Sequence, residues 1–357
     1  MYKFSVSGVT DVMNDSSRSK RGGLAVLFVA AFMAITTETL PMGLLPQMGQ
    51  GLGASESQVG LLVAIYAFVV MLVTLPVTAW TANWPRRRLF LVIMAAFAVS
   101  NLLMALAPTF PVLAGVAVLV MAGAPALLPQ VPGTRSADSS AAKAFRIPGV
   151  LAIAVTTTVV MLGHFTLYTY VAPYLQDAGI SEKAVSPVLF AFGVAGIAGV
   201  WCAGMLVDRR PRGALLSAAG LVVLALAGLG AVGWFTPATI ALIVLWGLAH
   251  AALPTFLQSA ALKAAPAAQA AASALFIIGF NLGIGGGSLV GGRVLDHIGV
   301  AAVPGAAAAL TAVALLIVVF ARTSALPRRT TSAVIARPGN KDEASLTHEL
   351  AELGQHR

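Results

Sequence analysis

The sequence predicts an all-α, polytopic membrane protein with about ten transmembrane helices. Of its 357 residues, 58% are hydrophobic and only 10% are charged, whereas soluble domains carry about 25% charged residues. The apolar residues form runs of about 17–25 residues, the length that crosses a hydrocarbon core of roughly 30 Å. Lys and Arg fall in alternate loops between these runs, which is typical of proteins that cross the membrane many times.

A polar, Gly-, Ser- and Pro-containing stretch divides the predicted spans into a group of four and a group of six. The first group covers residues 23–45, 59–81, 89–107 and 110–128. The second group covers residues 148–173, 185–206, 214–234, 238–258, 270–292 and 301–320. This pattern predicts two helical halves, at 23–128 and 148–320, joined by a cytoplasmic linker at 129–147. Tails at 1–22 and 321–357 complete the chain.

The positions of the basic residues predict the orientation. Basic clusters lie in the N-terminal tail, at 86–88, at 135–146, at 209–212 and after residue 321, whereas the alternate loops hold few of them. Because cytoplasmic loops are enriched in Lys and Arg, both termini are expected in the cytoplasm. We expect a multi-pass protein in contact with the lipid bilayer.

Several classes of function are excluded by what the sequence lacks. The single cysteine, Cys202, lies within an apolar run, so neither a disulfide framework nor a Cys-based metal site is expected. Phosphate-binding loops and nucleophile elbows are missing, which argues against an enzyme and against a bound cofactor. A clustered basic face is also missing, so nucleic acid is not an expected partner.

One carboxylate, Glu38, lies within the first predicted span and is flanked by threonines. A charge at the centre of a membrane helix costs roughly 2.5–3.5 kcal/mol on insertion scales, and such groups usually face a cavity. Glu38 is therefore a candidate for binding protons or a cationic substrate. The alternative is a structural carboxylate that bonds to the threonines or to water.

Four motifs of the sequence are TETLPMGLLP at 37–46, VGLLVAIYA at 59–67, PRRR at 85–88 and AGMLVDRRPR at 203–212. They resemble motifs of the major facilitator superfamily, in particular its drug:proton antiporter and sugar-efflux branch around the arabinose-efflux and chloramphenicol-efflux permeases. The resemblance implies two pseudo-symmetric helical halves in a bacterial inner (plasma) membrane, which export a small molecule by alternating access, driven by protons.

The sequence also departs from the family pattern in several places. The family has six helices in each half, and about two helices of the first half are missing here. Residues 109–113 resemble the start of the fourth family helix, and 116–129 resemble the end of the sixth. The missing part would have carried the family's intramembrane arginine and its antiporter motif. The loop at 82–86 also lacks the expected aspartate.

Two further polar residues, His164 and His250, fall near the middle of their spans, and Tyr168 follows His164 by one turn. Together with Glu38 they could form a proton relay. The alternative is that each histidine hydrogen-bonds a neighbouring helix. A metal site is not expected, because no ligands occur at helical i, i+4 spacing.

Aromatic and amide side chains are candidates for the wall of a substrate cavity, since apolar walls with a few polar groups suit a lipophilic compound. The predicted substrate-binding residues are Tyr66, Phe68, Phe165, Tyr168, Tyr170, Phe276, Phe280 and Asn281. In the 203–212 motif, the resemblance implies a gating loop formed by Gly204, Asp208, Arg209 and Arg212. The alternative for this loop is charge anchoring on the cytoplasmic side.

Glycines three or four residues apart occur in two spans, at 193–199 and 279–287, and predict close approach of helices. Such stripes serve either packing alone or the sliding of one helix on another during transport, and the glycines do not distinguish the two. The function that we expect is export of a small lipophilic compound, drug-like or sugar-like, coupled to protons. A degenerate protein without transport, and a membrane sensor that binds a ligand without moving it, remain alternatives. Another open question is whether a homo-oligomer replaces the missing wall.

Overall fold

In a computed structural model, the protein is described at residues 33, 36–37, 39–81, 84–106, 147–232 and 235–320. The predicted all-α class is confirmed in these residues. The helices are α1 (Leu45–Leu52), α2 (Glu56–Thr81), α3 (Arg86–Ala105), α4 (Pro148–Tyr168), α5 (Val171–Asp177), α6 (Glu182–Leu206), α7 (Pro211–Val232), α8 (Thr236–Ala264), α9 (Gln269–His297) and α10 (Val303–Phe320). Short 3₁₀ turns at Pro266–Ala268 and Val300–Ala302 precede the last two helices.

Seven helices of the described part are long and apolar enough to cross a membrane, namely α2, α4 and α6 to α10. Helix α3 carries a shorter apolar stretch, Arg88–Leu103. These helices account for all six predicted spans of the second half and for two of the first. The predicted span at 110–128 and most of the one at 23–45 lie outside the described residues.

Several helices begin before the apolar run that predicted them. Helix α6 begins at Glu182, α7 at Pro211 and α8 at Thr236, a few residues ahead of the predicted starts at 185, 214 and 238. Acidic residues and proline are favoured in the first helical turn. A search for apolar runs therefore finds the apolar part of each helix and misses its first turn.

The predicted span at 148–173 is divided in the structure. Helix α4 ends at Tyr168, and the short helix α5 begins at Val171. Pro173 explains the position of the break, since proline has no N–H and its ring clashes with the carbonyl four residues earlier, here that of Thr169. The break places the side chains of Thr169 and Tyr170 at the end of a membrane-length helix.

The second half packs around α4 and α8. Helix α4 contacts α9 and α10, α8 contacts α6 and α7, and α7 in turn contacts α10. Helix α9 lies between the two halves, because it packs on α4 along one face and on α2 of the first half along another. The main contact between the two halves in the described part of the chain therefore runs along α2 and α9.

The contact between α9 and α4 depends on glycines at every fourth position. An ideal Cβ on Gly279, Gly283 or Gly287 would lie 2.5–2.7 Å from a backbone carbonyl oxygen of α4. Small residues at this spacing allow two helix backbones to approach closely. The predicted close approach at 279–287 is therefore confirmed. In the other predicted stripe, Gly199 faces the Leu248 carbonyl of α8, whereas Gly193 faces open space.

Candidate functional site

The strongest candidate site is a pair of stacked histidines between α4 and α8. The ring centroids of His164 and His250 are 3.4 Å apart, and the ring planes differ by only 3°. Both side chains are buried, with 4% and 8% of their surface exposed. The two histidines predicted at similar depth are therefore brought into direct contact.

Aromatic rings surround this pair. Tyr168 stacks on His164 at a centroid distance of 4.8 Å, and Trp246 lies 4.9 Å away at a tilt of 56°. Phe192 of α6 closes the cluster, with its ring 5.4 Å from that of Tyr168 and 5.1 Å from that of Trp246. Tyr168 and Trp246 are four residues from the histidine of their own helix, so each lies on the same helical face as that histidine.

Three nitrogens in this cluster are buried and have no hydrogen-bond partner among the described residues. They are Nδ1 of His164, Nδ1 of His250 and Nε1 of Trp246. A buried polar atom without a partner costs about 1–3 kcal/mol, and native proteins keep few of them. The two imidazole nitrogens can each donate or accept a hydrogen bond, and the indole N–H can donate one, so the cluster offers partners to a water molecule or a polar ligand.

The geometry limits how much charge the pair can hold. Two unit charges 3.4 Å apart repel by about 5 kcal/mol at an effective dielectric constant of roughly 20. Double protonation is therefore strongly disfavoured. A single imidazolium would gain from the face of Tyr168, which stacks on His164, but burial among apolar rings opposes even one charge. The neutral pair is therefore the favoured state in this arrangement.

Charged side chains of the surrounding helices lie far from the pair in the part of the chain that the structure describes. On α8, Lys263 is thirteen residues beyond His250, which corresponds to about 20 Å along a helix axis. On α9, Arg293 and Asp296 lie near the end of the helix. Glu38, the predicted third member of the relay, lies outside the described residues.

The predicted substrate-binding residues fall into separate groups. Phe165 lies beside the histidine pair, with its ring 5.0 Å from that of His164. Phe276 and Phe280 form a second aromatic group on α9, at a centroid distance of 5.9 Å. Nearby on α9, Asn281 is buried, and its Nδ2 donates a hydrogen bond to the Ile277 carbonyl of its own helix, at 3.0 Å.

The remaining predicted wall residues lie on or against the first half. Tyr66 and Phe68 are on α2, and Phe68 faces Gly285 of α9. Tyr170 is completely buried at the break after α4, and its hydroxyl donates a hydrogen bond to the Ser288 carbonyl at 2.9 Å. Tyr170 is therefore held in a helix junction, away from the histidine cluster.

The predicted gating loop forms contacts within the second half. The Lys263 ammonium donates to Asp208 at 2.8 Å, and the Arg212 guanidinium donates to the Val319 carbonyl at 3.1 Å. Arg209 is exposed, and a Cβ on Gly204 would meet open space. These contacts tie the end of α6 to α8 and the start of α7 to α10. They do not reach a described residue of the first half.

Sequence reasoning did not identify Trp246, Phe192 or Lys263 as parts of these sites. Trp246 lies four residues from His250, as Tyr168 does from His164, and this shared spacing is visible in the sequence. Phe192 gave no such signal, because apolar helices contain many aromatic residues. The partner of Lys263 lies 55 positions earlier in the sequence, so spacing along the chain could not pair the two residues.

Comparison with known proteins identifies related transporters. A model of the Major Facilitator Superfamily matches residues 27–134 and 153–350. A "Probable sugar efflux transporter" of Mannheimia succiniciproducens is 28% identical over 375 residues, which cover 85% of this chain and 94% of that protein. A chloramphenicol efflux pump of Mycobacterium tuberculosis H37Rv is 29% identical over 354 residues, covering 77% of this chain and 86% of the pump. The corresponding pump of strain CDC 1551 shows the same values.

Proposed function

Since this chain belongs to the major facilitator superfamily of membrane transporters, we propose that it exports a small lipophilic compound in exchange for protons. The names of its relatives point to an aromatic drug such as chloramphenicol or to a sugar. In this proposal the stacked pair of His164 and His250 is the proton-binding group. Transport proceeds by alternating access between the two helical halves.

The observation that carries this proposal is the buried pair with unpartnered nitrogens. The pair is neutral while it is buried and charged when it gains a proton, so it has two states of very different polarity. The neutral pair allows α4 and α8 to stay closely packed, whereas the protonated pair favours access to water or to an acceptor. Protonation can thereby bias the equilibrium between two arrangements of the helices.

The remaining parts of the proposal follow the sequence pattern. Glu38 is proposed as a second proton-binding group, or as the acceptor that receives the proton from the pair. The substrate wall is proposed to include Phe165, Tyr168, Phe276 and Phe280. Both termini are proposed to lie in the cytoplasm of a bacterial cell. An interface between two copies of the chain is proposed as one way to replace the missing helices of a shortened first half. The alignment of 375 residues is longer than this chain of 357, which supports such a shortening.

The experiment uses purified full-length protein in liposomes with an imposed pH gradient. Proton flux is measured after addition of chloramphenicol or arabinose, for the unmodified protein and for His164→Gln and His250→Gln. Loss of substrate-dependent flux is expected in both variants. His297→Gln is the matched control, because His297 is exposed at the end of α9, and it should retain flux.

Two outcomes would contradict the proposal in different ways. Flux equal to that of the unmodified protein in both histidine variants, at every pH tested, would exclude the pair as the proton site. Absence of flux from well-folded unmodified protein would refute export of these compounds. If the same sample then bound chloramphenicol in an equilibrium assay, ligand sensing would explain the shortened first half better than export does.

A further inference from the structure

The side chain of Tyr170 fills a slot where α2, α4 and α9 meet. Ideal Cβ atoms on Gly291 and Gly292 of α9 would lie 2.6–2.8 Å from its ring or hydroxyl, and one on Gly60 of α2 would overlap the hydroxyl. Glycine at all three positions leaves room for the ring. Tyr170 therefore occupies a space that the backbones of both halves have left open.

Two polar contacts hold Tyr170 to its own half. Its hydroxyl donates to the Ser288 carbonyl at 2.9 Å, and the neighbouring Thr169 hydroxyl lies 2.7 Å from the Ser288 hydroxyl. All three residues are buried. Both contacts join the end of α4 to α9 and therefore lie within the second half.

The first half contacts Tyr170 without any described hydrogen bond. Leu45 and Val59, each 1% exposed, form a small buried cluster with Tyr170, separate from the main core. Gly60 adds a smooth backbone surface beneath the hydroxyl. Van der Waals contacts of this kind form and break without leaving a buried polar group unsatisfied. The two halves can therefore separate between Tyr170 and three first-half residues, Leu45, Val59 and Gly60. These four residues together are called the outer junction.

The sequence pattern assigns a side of the membrane to this junction. It lies beside the segments 47–56 and 177–182, which connect predicted spans, carry few basic residues and are expected outside the cell. A second contact at this end, from the Gln47 amide to the Glu182 carboxylate at 2.7 Å, also joins the two halves. The halves are therefore in contact at their outer end in this structure.

We propose that Tyr170 is the residue that closes the outer end of the transport path, by seating its ring against Gly60, Leu45 and Val59. This inference rests on the proposed alternating-access function. It replaces the expected role of Tyr170 as a substrate wall with a positioning role. The opening motion would withdraw α2 from the ring, while the bond to Ser288 keeps the ring in place for the next closure.

The test measures access to the junction from outside. A single cysteine, Leu45→Cys in a Cys202→Ala background, is labelled with a membrane-impermeant maleimide in intact cells. Slow labelling is expected for this parent. Gly60→Ala should raise the labelling rate about tenfold, the shift that an overpacked contact of ordinary size gives. Gly51→Ala is the matched control, since a Cβ there meets nothing within 4 Å.

A second variant separates closure from general misfolding. In a Gly60→Ala background, Tyr170→Phe should restore part of the protection, because the closest clash is with the hydroxyl. A misfolded protein would not be rescued in this way. Tyr170→Ala alone should label rapidly, since the slot is then empty.

Slow labelling in Tyr170→Ala, or equal rates in Gly60→Ala and Gly51→Ala, would overturn the proposal. The labelling requires neither substrate nor a pH gradient. A failure of proton-coupled export would therefore show in the flux assay and not in this measurement.

Discussion

The packing of α9 on α4 allows a sharp comparison between two adjacent glycines. An ideal Cβ on Gly287 would lie 2.5 Å from the Leu162 carbonyl oxygen, 2.9 Å from the Phe165 Cβ and 3.0 Å from the Thr166 backbone nitrogen. None of these atoms belongs to the far end of a flexible side chain. On Gly286, the nearest atom would be the Leu162 Cδ1 at 3.4 Å, which is ordinary contact.

The difference between Gly287→Ala and Gly286→Ala isolates the clash. Both substitutions gain helix propensity, about 0.8–1.0 kcal/mol relative to glycine, so this gain cancels in the comparison. Overpacking a well-packed interface costs typically about 1–3 kcal/mol. We therefore expect Gly287→Ala to be less stable than Gly286→Ala by about 1–3 kcal/mol.

The assay is the apparent unfolding temperature of both purified variants in the same detergent and at the same heating rate. A matched heating rate matters because unfolding of such proteins is usually irreversible. Gly287→Ala should unfold several degrees below Gly286→Ala. Equal temperatures, or a lower value for Gly286→Ala, would refute the close approach of α9 and α4.

Two further predictions concern contacts at the helix ends. Tyr174→Phe removes the hydrogen bond from the hydroxyl to the Leu229 carbonyl, at 2.8 Å, and should lower the unfolding temperature at neutral pH. Burial, together with the Asp177 carboxylate, raises the pKa of Tyr174 to about 12, against about 10 in an unfolded chain. The unfolded chain therefore loses this proton first, and the stability advantage over Tyr174→Phe should shrink as pH rises from about 10 towards 12. An advantage that stays constant across this window in unfolding measurements would contradict the buried geometry. Asp208→Asn breaks an ion pair with Lys263 whose side chains are 82% and 47% exposed, so it should change stability by less than about 1 kcal/mol. If Asp208→Asn transports less than the unmodified protein at an unchanged unfolding temperature, the loop acts in gating. If the two proteins transport equally, charge anchoring remains as the role of the loop.

Much of the helical architecture could be predicted from the sequence. Apolar length gave the six helices of the second half, because membrane thickness imposes that length whatever the packing partners. The break after Tyr168 was missed, although Pro173 was visible. Apolar residues continue through Thr169 and Tyr170, and hydropathy alone does not register a lost backbone hydrogen bond.

The histidine pair shows where sequence reasoning stops. Counting residues gives the depth of His164 and His250 in the membrane, but it does not give the rotation of each helix about its axis. Whether two residues at one depth touch depends on that rotation, and therefore on packing partners distant in sequence. For the same reason, the glycine spacing predicted a close approach at 279–287 but could not identify α4 as the partner.

The histidine pair and the outer junction are linked by a single helix. His164 lies on α4, and Tyr170 follows two residues after the end of that helix, six residues or about 9 Å of helical rise from His164. The glycine stripe holds α4 against α9, and α9 also supplies Gly291 and Gly292 of the slot. If protonation of the pair displaces α4 from α8, we expect α4 and α9 to move together, so the outer junction should separate at its contact with α2. On this reasoning, the His250→Gln variant, which cannot form the charged pair, should keep Leu45→Cys protected when the external pH is lowered, whereas the parent should become accessible.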